Sequence, residues 1–207
     1  MKLILLGAPG CGKGTQAKKI SDKYSIPHIS TGDIFRENIQ KQTPIGLKVK
    51  KSMDTGNLCP DDLTIELVKD RLEQPDVTKA YLLDGFPRNI FQAEALEDIS
   101  EPDMVININV DFAVIERRVT GRRSCVQCKG TFHVDNLENE KICPVCSGEL
   151  VVRKDDTPEI VKDRIEVYKK QTSPLIEFYQ DKGKLVNIDG NKDVEQVFSD
   201  IVKVLDK

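Results

Sequence analysis

Met1-Lys-Leu-Ile-Leu-Leu-Gly7-Ala-Pro-Gly10-Cys11-Gly12-Lys13-Gly14-Thr15 opens the chain. A short apolar run, Leu3 to Leu6, enters a loop carrying four glycines and one lysine, and a helix-like stretch from Gln16 to Tyr24 follows. Strand, glycine loop, lysine and helix in this order make a P-loop. Glycines let backbone N–H groups close around phosphate oxygens with no side chain in the way. The helix N-terminus adds partial positive charge at the same point, and Lys13 supplies a mobile full charge for the outer phosphates. The segment therefore reads as a cradle for a nucleoside triphosphate. One feature departs from the general pattern: Gly14 follows Lys13, and the hydroxyl comes one residue later, at Thr15.

Working outward, the 207 residues suit one domain with insertions, or a core with small lobes. A net charge of −3 with 31% charged residues gives no electrostatic case for a nucleic-acid partner. Attraction for a polyphosphate must then come from local arginines. No apolar run approaches a membrane span. Met1 to Leu6 is too short for the hydrophobic region of a signal peptide. A reducing cytoplasm is the expected compartment, and a monomer is the expected state because no additional apolar helix face is visible. The six cysteines then call for an explanation other than disulfides.

Strand-like runs at Lys2–Leu6, Pro27–Ser30, Ala80–Leu83, Met104–Val110 and Leu185–Ile188 alternate with helix-like runs. The helices include Lys13–Tyr24, Asp61–Leu72, Asn89–Leu96 and Phe112–Gly121. Such alternation predicts an α/β fold with a parallel sheet covered on both faces. Leu63, Leu67, Val68 and Leu72 form a core-facing stripe. Thr157-Pro158-Glu159 reads as N-cap and N1 proline of a further helix, with Val161, Ile165 and Tyr168 on one face and a kink or restart at Ser173-Pro174. Two stretches break the alternation. Thr31 to about Asp62 is polar with few core-like positions, and Arg122 to Lys154 holds turns, short extended runs and patterned cysteines. Both read as excursions from the carboxyl edge of the sheet, where ligands sit in open α/β folds.

Cys125-Val-Gln-Cys128-Lys-Gly130 and Cys143-Pro-Val-Cys146-Ser-Gly148 are near copies. Each lets two thiolates point at one ion, and each trailing glycine offers the open backbone geometry that turns N–H groups toward sulfur. Together they predict a closed tetrahedral S4 site, most often zinc, with iron the competitor. Four thiolates leave no position for substrate, so the ion is structural and staples a lobe too small for its own core. Cys11 and Cys59 are isolated and read as packing residues.

Ala80-Tyr-Leu-Leu-Asp84-Gly-Phe-Pro-Arg88 is an apolar strand ending in an acid, the usual partner of a P-loop, because the carboxylate faces the metal on the phosphates. Arginines stand at positions 36, 88, 118, 122, 123, 153 and 164, mostly at the edges of the two excursions. Guanidinium forks bind phosphate oxygens through paired hydrogen bonds that lysine cannot match. Many of them in one cleft would suit phosphoryl transfer between two nucleotides, which needs little beyond alignment and charge stabilisation.

On these motifs the chain resembles the adenylate kinases, in their long form with a metal-binding lid. The resemblance runs from Met1 to about Lys192. It rests on Gly7 to Gln16, Thr31-Gly-Asp-Ile-Phe-Arg36, Asp84-Gly-Phe-Pro-Arg88 with Gln92, Gly121-Arg122-Arg123, and Arg153-Lys-Asp-Asp156. The shifted Thr15 is the family's usual form of the loop. The resemblance implies a doubly wound, five-stranded parallel sheet as a core (residues 1–29, 60–121 and 157–207), an AMP-binding lobe (30–59) and a zinc-binding lid (122–156). It implies ATP-binding roles for Gly10, Cys11, Gly12, Lys13, Gly14, Thr15, Arg118, Arg122, Thr131 and Phe132, and for the main chain at Lys192. For AMP it implies Thr31, Arg36, Asn57, Leu58, Cys59, Gly85, Phe86, Pro87, Arg88, Gln92, Arg153 and Arg164. Lys13, Arg88, Arg122, Arg153 and Arg164 would spread transition-state charge, and Asp84 would hold Mg2+ through water. Cys125, Cys128, Cys143 and Cys146 match the family's lid ligands for Zn2+. The expected partners are ATP, AMP and ADP, with neither nucleic acid nor membrane; a kinase for UMP, CMP or GMP is the nearest alternative. A guanine-reading N-K-x-D motif is not met at Asn191-Lys192-Asp193, because Val194 stands where its acid belongs.

Overall fold

The computed structural model describes residues 1–207. From the amino terminus, β1 (Lys2–Leu6) leads through the glycine loop to α1 (Lys13–Tyr24) and then β2 (His28–Ser30). Two helices, α2 (Thr31–Gln40) and α3 (Pro44–Asp54), precede α4 (Asp61–Leu72), β3 (Tyr81–Asp84), α5 (Ile90–Ser100), β4 (Met104–Asn109) and α6 (Phe112–Thr120). A small excursion holds β5 (Arg122–Cys125), β6 (Thr131–His133) and β7 (Leu150–Val151). The chain returns through α7 (Pro158–Val167), a π-helical turn at Tyr168–Thr172, α8 (Pro174–Asp181), β8 (Leu185–Asp189) and α9 (Val194–Leu205). No helix is long and apolar enough to cross a membrane.

β1 owes its central position to being apolar on both sides. Successive side chains of a strand point to opposite faces. Leu3 and Leu5 therefore join Leu82, Ile106 and Ile108 in a core covered by Ala17 and Ile20 of α1, Val119 of α6 and Val197 and Ile201 of α9. Ile4 and Leu6 join Leu83 and Val105 in a second core covered by Val68 of α4, Leu96 of α5 and Tyr179 of α8. The sheet order is β2-β3-β1-β4-β8, every pair parallel. The chain leaves β1 to one side for β2 and β3 and crosses to its other side for β4 and β8. Strand order thus reverses around β1, and a crevice opens at its carboxyl end.

The polar stretch after β2 is more ordered than its composition promises. Ser30 caps α2 by accepting from Asp33 N at 3.3 Å, and Thr43 caps α3 by accepting from Gly46 N at 3.1 Å, with Pro44 in the first turn. The two helices cross so closely that a β-carbon on Gly46 would stand 2.2 Å from Asn38 O. Phe35 and Val49 are buried, and Ile34, Ile39, Ile45 and Met53 pack beside them. The excursion after α6 is an antiparallel sheet of order β6-β5-β7. Its apolar centre is only Cys125, Cys143 and Leu150, with Cys128, Phe132 and Leu137 around them. At the expected break, Pro174 starts α8 after the π-helical turn, and that turn lets Thr172 Oγ1 donate to Arg88 O at 2.7 Å.

Candidate active site

The glycine loop at the end of β1 takes backbone angles that side chains resist. Gly7, Gly10 and Gly12 have φ of 140°, 78° and 101°. A β-carbon on Gly10 would stand 2.5 Å from Val119 Cγ2, so α6 packs directly on the loop. Lys13 Nζ lies over it, donating to Gly7 O at 2.6 Å and Ala8 O at 3.0 Å. Asp84, at the end of β3, lies against the first turn of α1: its Oδ2 would be 3.6 Å from a β-carbon on Gly14. Burial pushes the Asp84 carboxyl up, but the adjoining His28 imidazole and the Lys13 charge outweigh it and hold it below the usual range. His28 Nε2 is 3.5 Å from Asp84 Oδ2.

The loop floors a cleft of about 1300 Å³ into which every layer of the fold sends cations. Arg36 comes from α2, Arg88 from the turn after β3, Arg118 from α6, Arg122 from β5, Arg153 from the segment after β7, and Arg164 from α7. Acids hold several of them. Arg36 Nη2 donates to Asp33 Oδ1 at 2.5 Å, Arg122 forms a two-pronged pair with Asp156, and Arg164 Nη1 donates to Asp155 Oδ2 at 2.7 Å. Arg88 Nε donates to Gly85 O at 2.7 Å and Arg153 Nε to Ser124 Oγ at 2.8 Å. Burial, then the neighbouring charges of Arg36 and Arg122, brings the Arg153 guanidinium down to about 9. Burial likewise lowers Arg88 and Arg164. Such crowding of like charge has an electrostatic cost that a polyanion relieves.

Of the residues expected on sequence grounds, Gly10 to Thr15, Arg36, Leu58, Asp84, Gly85, Pro87, Arg88, Arg118, Arg122, Thr131, Phe132, Arg153, Arg164 and Lys192 all line this cleft. Thr31, Cys59, Phe86 and Gln92 stand behind its wall, and Asn57 is exposed outside the cleft. Thr31 Oγ1 donates to Gly85 O at 2.9 Å, Phe86 and Cys59 are core residues, and Asn57 Nδ2 donates to Thr55 Oγ1 at 3.0 Å. Gln92 is 1% exposed, and both ends of its amide are engaged: Oε1 accepts from Arg88 N at 2.8 Å and Nε2 donates to Asp61 Oδ1 at 2.7 Å. Contact between Gln92 and a purine edge therefore requires exchange of the Asp61 bond. Arg123 turns away to Glu140. His28 beside Asp84 and Thr172 beside Arg88 O carry no local sequence signal. Asp33, Asp155 and Asp156, which lie within the arginine-bearing motifs themselves, are the visible sign that acids hold Arg36, Arg122 and Arg164.

The four patterned cysteines meet in the small sheet. Their sulfurs all lie within 4.8 Å of one another, with Cys125 Sγ 3.5 Å from Cys146 Sγ and Cys128 Sγ 3.7 Å from Cys143 Sγ. A tetrahedron with Zn–S bonds of about 2.3 Å has edges of about 3.8 Å, so the donor set fits such an ion. Gly130 N–H turns toward the Cys128 sulfur as expected, but the open backbone geometry falls one residue before each trailing glycine. The left-handed residues are Lys129 and Ser147, both at φ 59°, whereas Gly130 and Gly148 serve by lacking a side chain. A β-carbon on Gly130 would crowd the Phe132 ring at 3.0 Å, and one on Gly148 would stand 2.8 Å from Gln127. His133 lies outside the group, with Nε2 3.2 Å from Arg117 O.

A glycine loop with its lysine flooring a cleft walled by guanidiniums is the layout of a P-loop phosphotransferase that works on nucleotides. The adenylate kinase family model matches residues 5–184. The chain is 53% identical over 212 residues to an adenylate kinase of Clostridium tetani, covering 99% of this chain and 98% of that one. It is 52% identical over 214 residues to adenylate kinases of Clostridium botulinum (99% of each chain) and Lachnoclostridium phytofermentans (100% and 99%). The chain belongs to the adenylate kinase family and is a nucleoside monophosphate kinase.

Proposed function

We propose that the chain transfers the γ-phosphoryl of ATP to AMP, reversibly giving two ADP, with the two nucleotides on opposite sides of the arginine-walled cleft. The convergence of Arg36, Arg88, Arg122, Arg153 and Arg164 on the space beside Lys13 is the observation that carries this reading. The glycine loop, Lys13 and Thr15 would hold the ATP phosphates. Arg118, the Thr131–Phe132 backbone and the Lys192 main chain would hold its base and ribose. Arg36 and Arg88 would take the AMP phosphate, with Thr31, Leu58, Gly85 and Gln92 shaping the site around it.

The acceptor is already an anion, so the site needs no general base. The work of Lys13, Arg88, Arg122, Arg153 and Arg164 is to align two polyanions that repel each other and to spread charge as the phosphoryl moves. Mg2+ arriving with ATP would be held through water at Asp84, whose lowered titration keeps it anionic. Held there, Mg2+ would supply positive charge to the transferring phosphates. The two excursions would act as covers. Residues 30–59 form the AMP lobe and 122–156 the lid, both closing on the core of residues 1–29, 60–121 and 157–207 to exclude water from the phosphoryl group. Zn2+ on Cys125, Cys128, Cys143 and Cys146 would supply cross-linking and no chemistry. Four thiolates needing protection from oxidation favour a reducing cytoplasm, and the enzyme is taken as a monomer.

An acceptor panel tests the substrate. With ATP as donor, kcat/KM for AMP should exceed that for UMP, CMP and GMP by about 10² or more, the discrimination a base-reading site provides. A preference for UMP or GMP overturns the assignment.

A further inference from the structure

We propose that Gln16 is a positioning residue for the base of ATP, tying the phosphate cradle to the turn between β8 and α9. The inference rests on the reading above that the Lys192 main chain meets that base.

Gln16 follows Thr15 in the first turn of α1, is 3% exposed, and lines the cleft. Its Nε2 donates to Val194 O at 2.9 Å, a bond between residues 178 apart in sequence. Its Oε1 is buried with no partner in the chain. A methionine would fill the same space without an orphaned acceptor, so the bond to Val194 is what the amide adds.

The turn it reaches is fixed at its other end too. Gly190 N donates to Asn109 O at 2.7 Å, and Arg118 Nη1 donates to Gly190 O at 3.1 Å. A β-carbon on Gly190 would stand 2.6 Å from both Ile108 and Val110, so this end is also clamped by packing. Between the two anchors, Lys192 lines the cleft, and neither its N–H nor its C=O is bonded within the protein. The turn thus holds out a free donor and acceptor: Arg118 at Gly190 and Asn191 Oδ1, which accepts from Asp111 N at 3.1 Å, hold its first half, and Gln16 fixes its far end at Val194, the first residue of α9, beside the surface pair of Lys19 with Glu195. Because Gln16 belongs to the same helical turn as the phosphate loop, its bond sets the distance between the phosphates and the base. Losing it leaves the cradle intact and lets the base-reading turn drift.

The test uses the full-length enzyme with Gln16→Met, which keeps bulk and loses the donor, and Gln16→Leu, which also loses the donor and buries no charge. Thermal midpoints, KM for ATP and AMP, and kcat/KM for ATP against GTP are measured. The expected result is KM for ATP raised about tenfold with ATP-over-GTP preference reduced, while KM for AMP stays within about twofold and the midpoint holds. Unchanged KM for ATP overturns the proposal. So does an equal loss on both substrates with a lowered midpoint, which marks Gln16 as a plain tie between α1 and α9. If the wild-type enzyme shows no preference for ATP over GTP, the base reading at Lys192 fails and takes the inference with it. A clear wild-type preference with indifferent variants sinks the Gln16 assignment alone.

Discussion

Arg153 shows how a guanidinium crowded among like charges weighs on the protein. Its guanidinium is brought down to about 9 by burial and by Arg36 and Arg122. A base whose titration falls on folding opposes the folded state at all pH values below the folded value, because the charged form must be buried. Arg153→Met should therefore raise the thermal midpoint of the nucleotide-free protein at pH 7 by a few degrees, in keeping with about 0.5–2 kcal/mol for a single stabilising change. The same variant should lose kcat by about 10³, the scale of a lost arginine finger. Differential scanning calorimetry and a coupled assay check the two halves. Asp84 has the opposite sign. Its carboxyl is held below the usual range despite burial, by His28 and Lys13. Its contribution to stability is complete above the unfolded carboxylate value of about 3.9 and is lost as pH falls through the lower folded value. The stability gap between wild type and Asp84→Asn should narrow as pH falls below about 4, as read by urea melts between about pH 3 and pH 5. A gap independent of pH would contradict the assigned role of the charge.

At the scale of elements, the small sheet of β5, β6 and β7 lacks the apolar mass to stand by itself, with three buried residues at its centre, two of them cysteines. Metal removal with a chelator, or Cys143→Ser, should therefore expose residues 122–156 to fast amide exchange and proteolysis while the five-stranded sheet stays protected. Elemental analysis of the untreated protein should find about one zinc per chain. This lobe also shows where sequence reading stops. The cysteine spacing gave the ligand set, but strands of three and two residues are too short to carry a period. The positive φ sits on Lys129 and Ser147, and nothing in their chemistry announces it. The main sheet was legible because Leu3 to Leu6 and the other central strands are apolar on both faces. Helices α1 and α4 were legible to the residue because their apolar positions recur every three or four. Helices α2 and α3 were less so: of their apolar side chains only Phe35 and Val49 are fully buried, with Ile34, Ile39, Ile45 and Met53 partly exposed beside them and a close glycine contact between the helices, which leaves a weak periodic signal. Their caps, Ser30 and Thr43-Pro44, were readable and went unused.

Across the whole molecule, the site exists only because distant segments close on one crevice. The loop after β1 contributes the cradle, β3 contributes Asp84, and guanidiniums arrive from α2, α6, α7 and the small sheet. Motifs mark the glycine loop, Asp84 and Arg88, whereas Arg118 and Arg164 stand in helices with no local motif and are pointed to only by the family resemblance. The hydrogen bonds that aim them were not readable, because Arg122 to Asp156 and Gln92 to Asp61 join positions 34 and 31 apart. The central claim is that one active site holds a donor and an acceptor nucleotide and passes a phosphoryl group directly between them. It is tested most directly by mixing metal-replete enzyme with Mg2+, AMP and ATP labelled in the γ-phosphoryl, and following the label and both nucleotides with time. The account predicts that the label appears in ADP, that two ADP form for each ATP consumed, and that inorganic phosphate stays near zero. Label released as free phosphate, or no ADP formed from ATP and AMP at saturating concentrations, would contradict it.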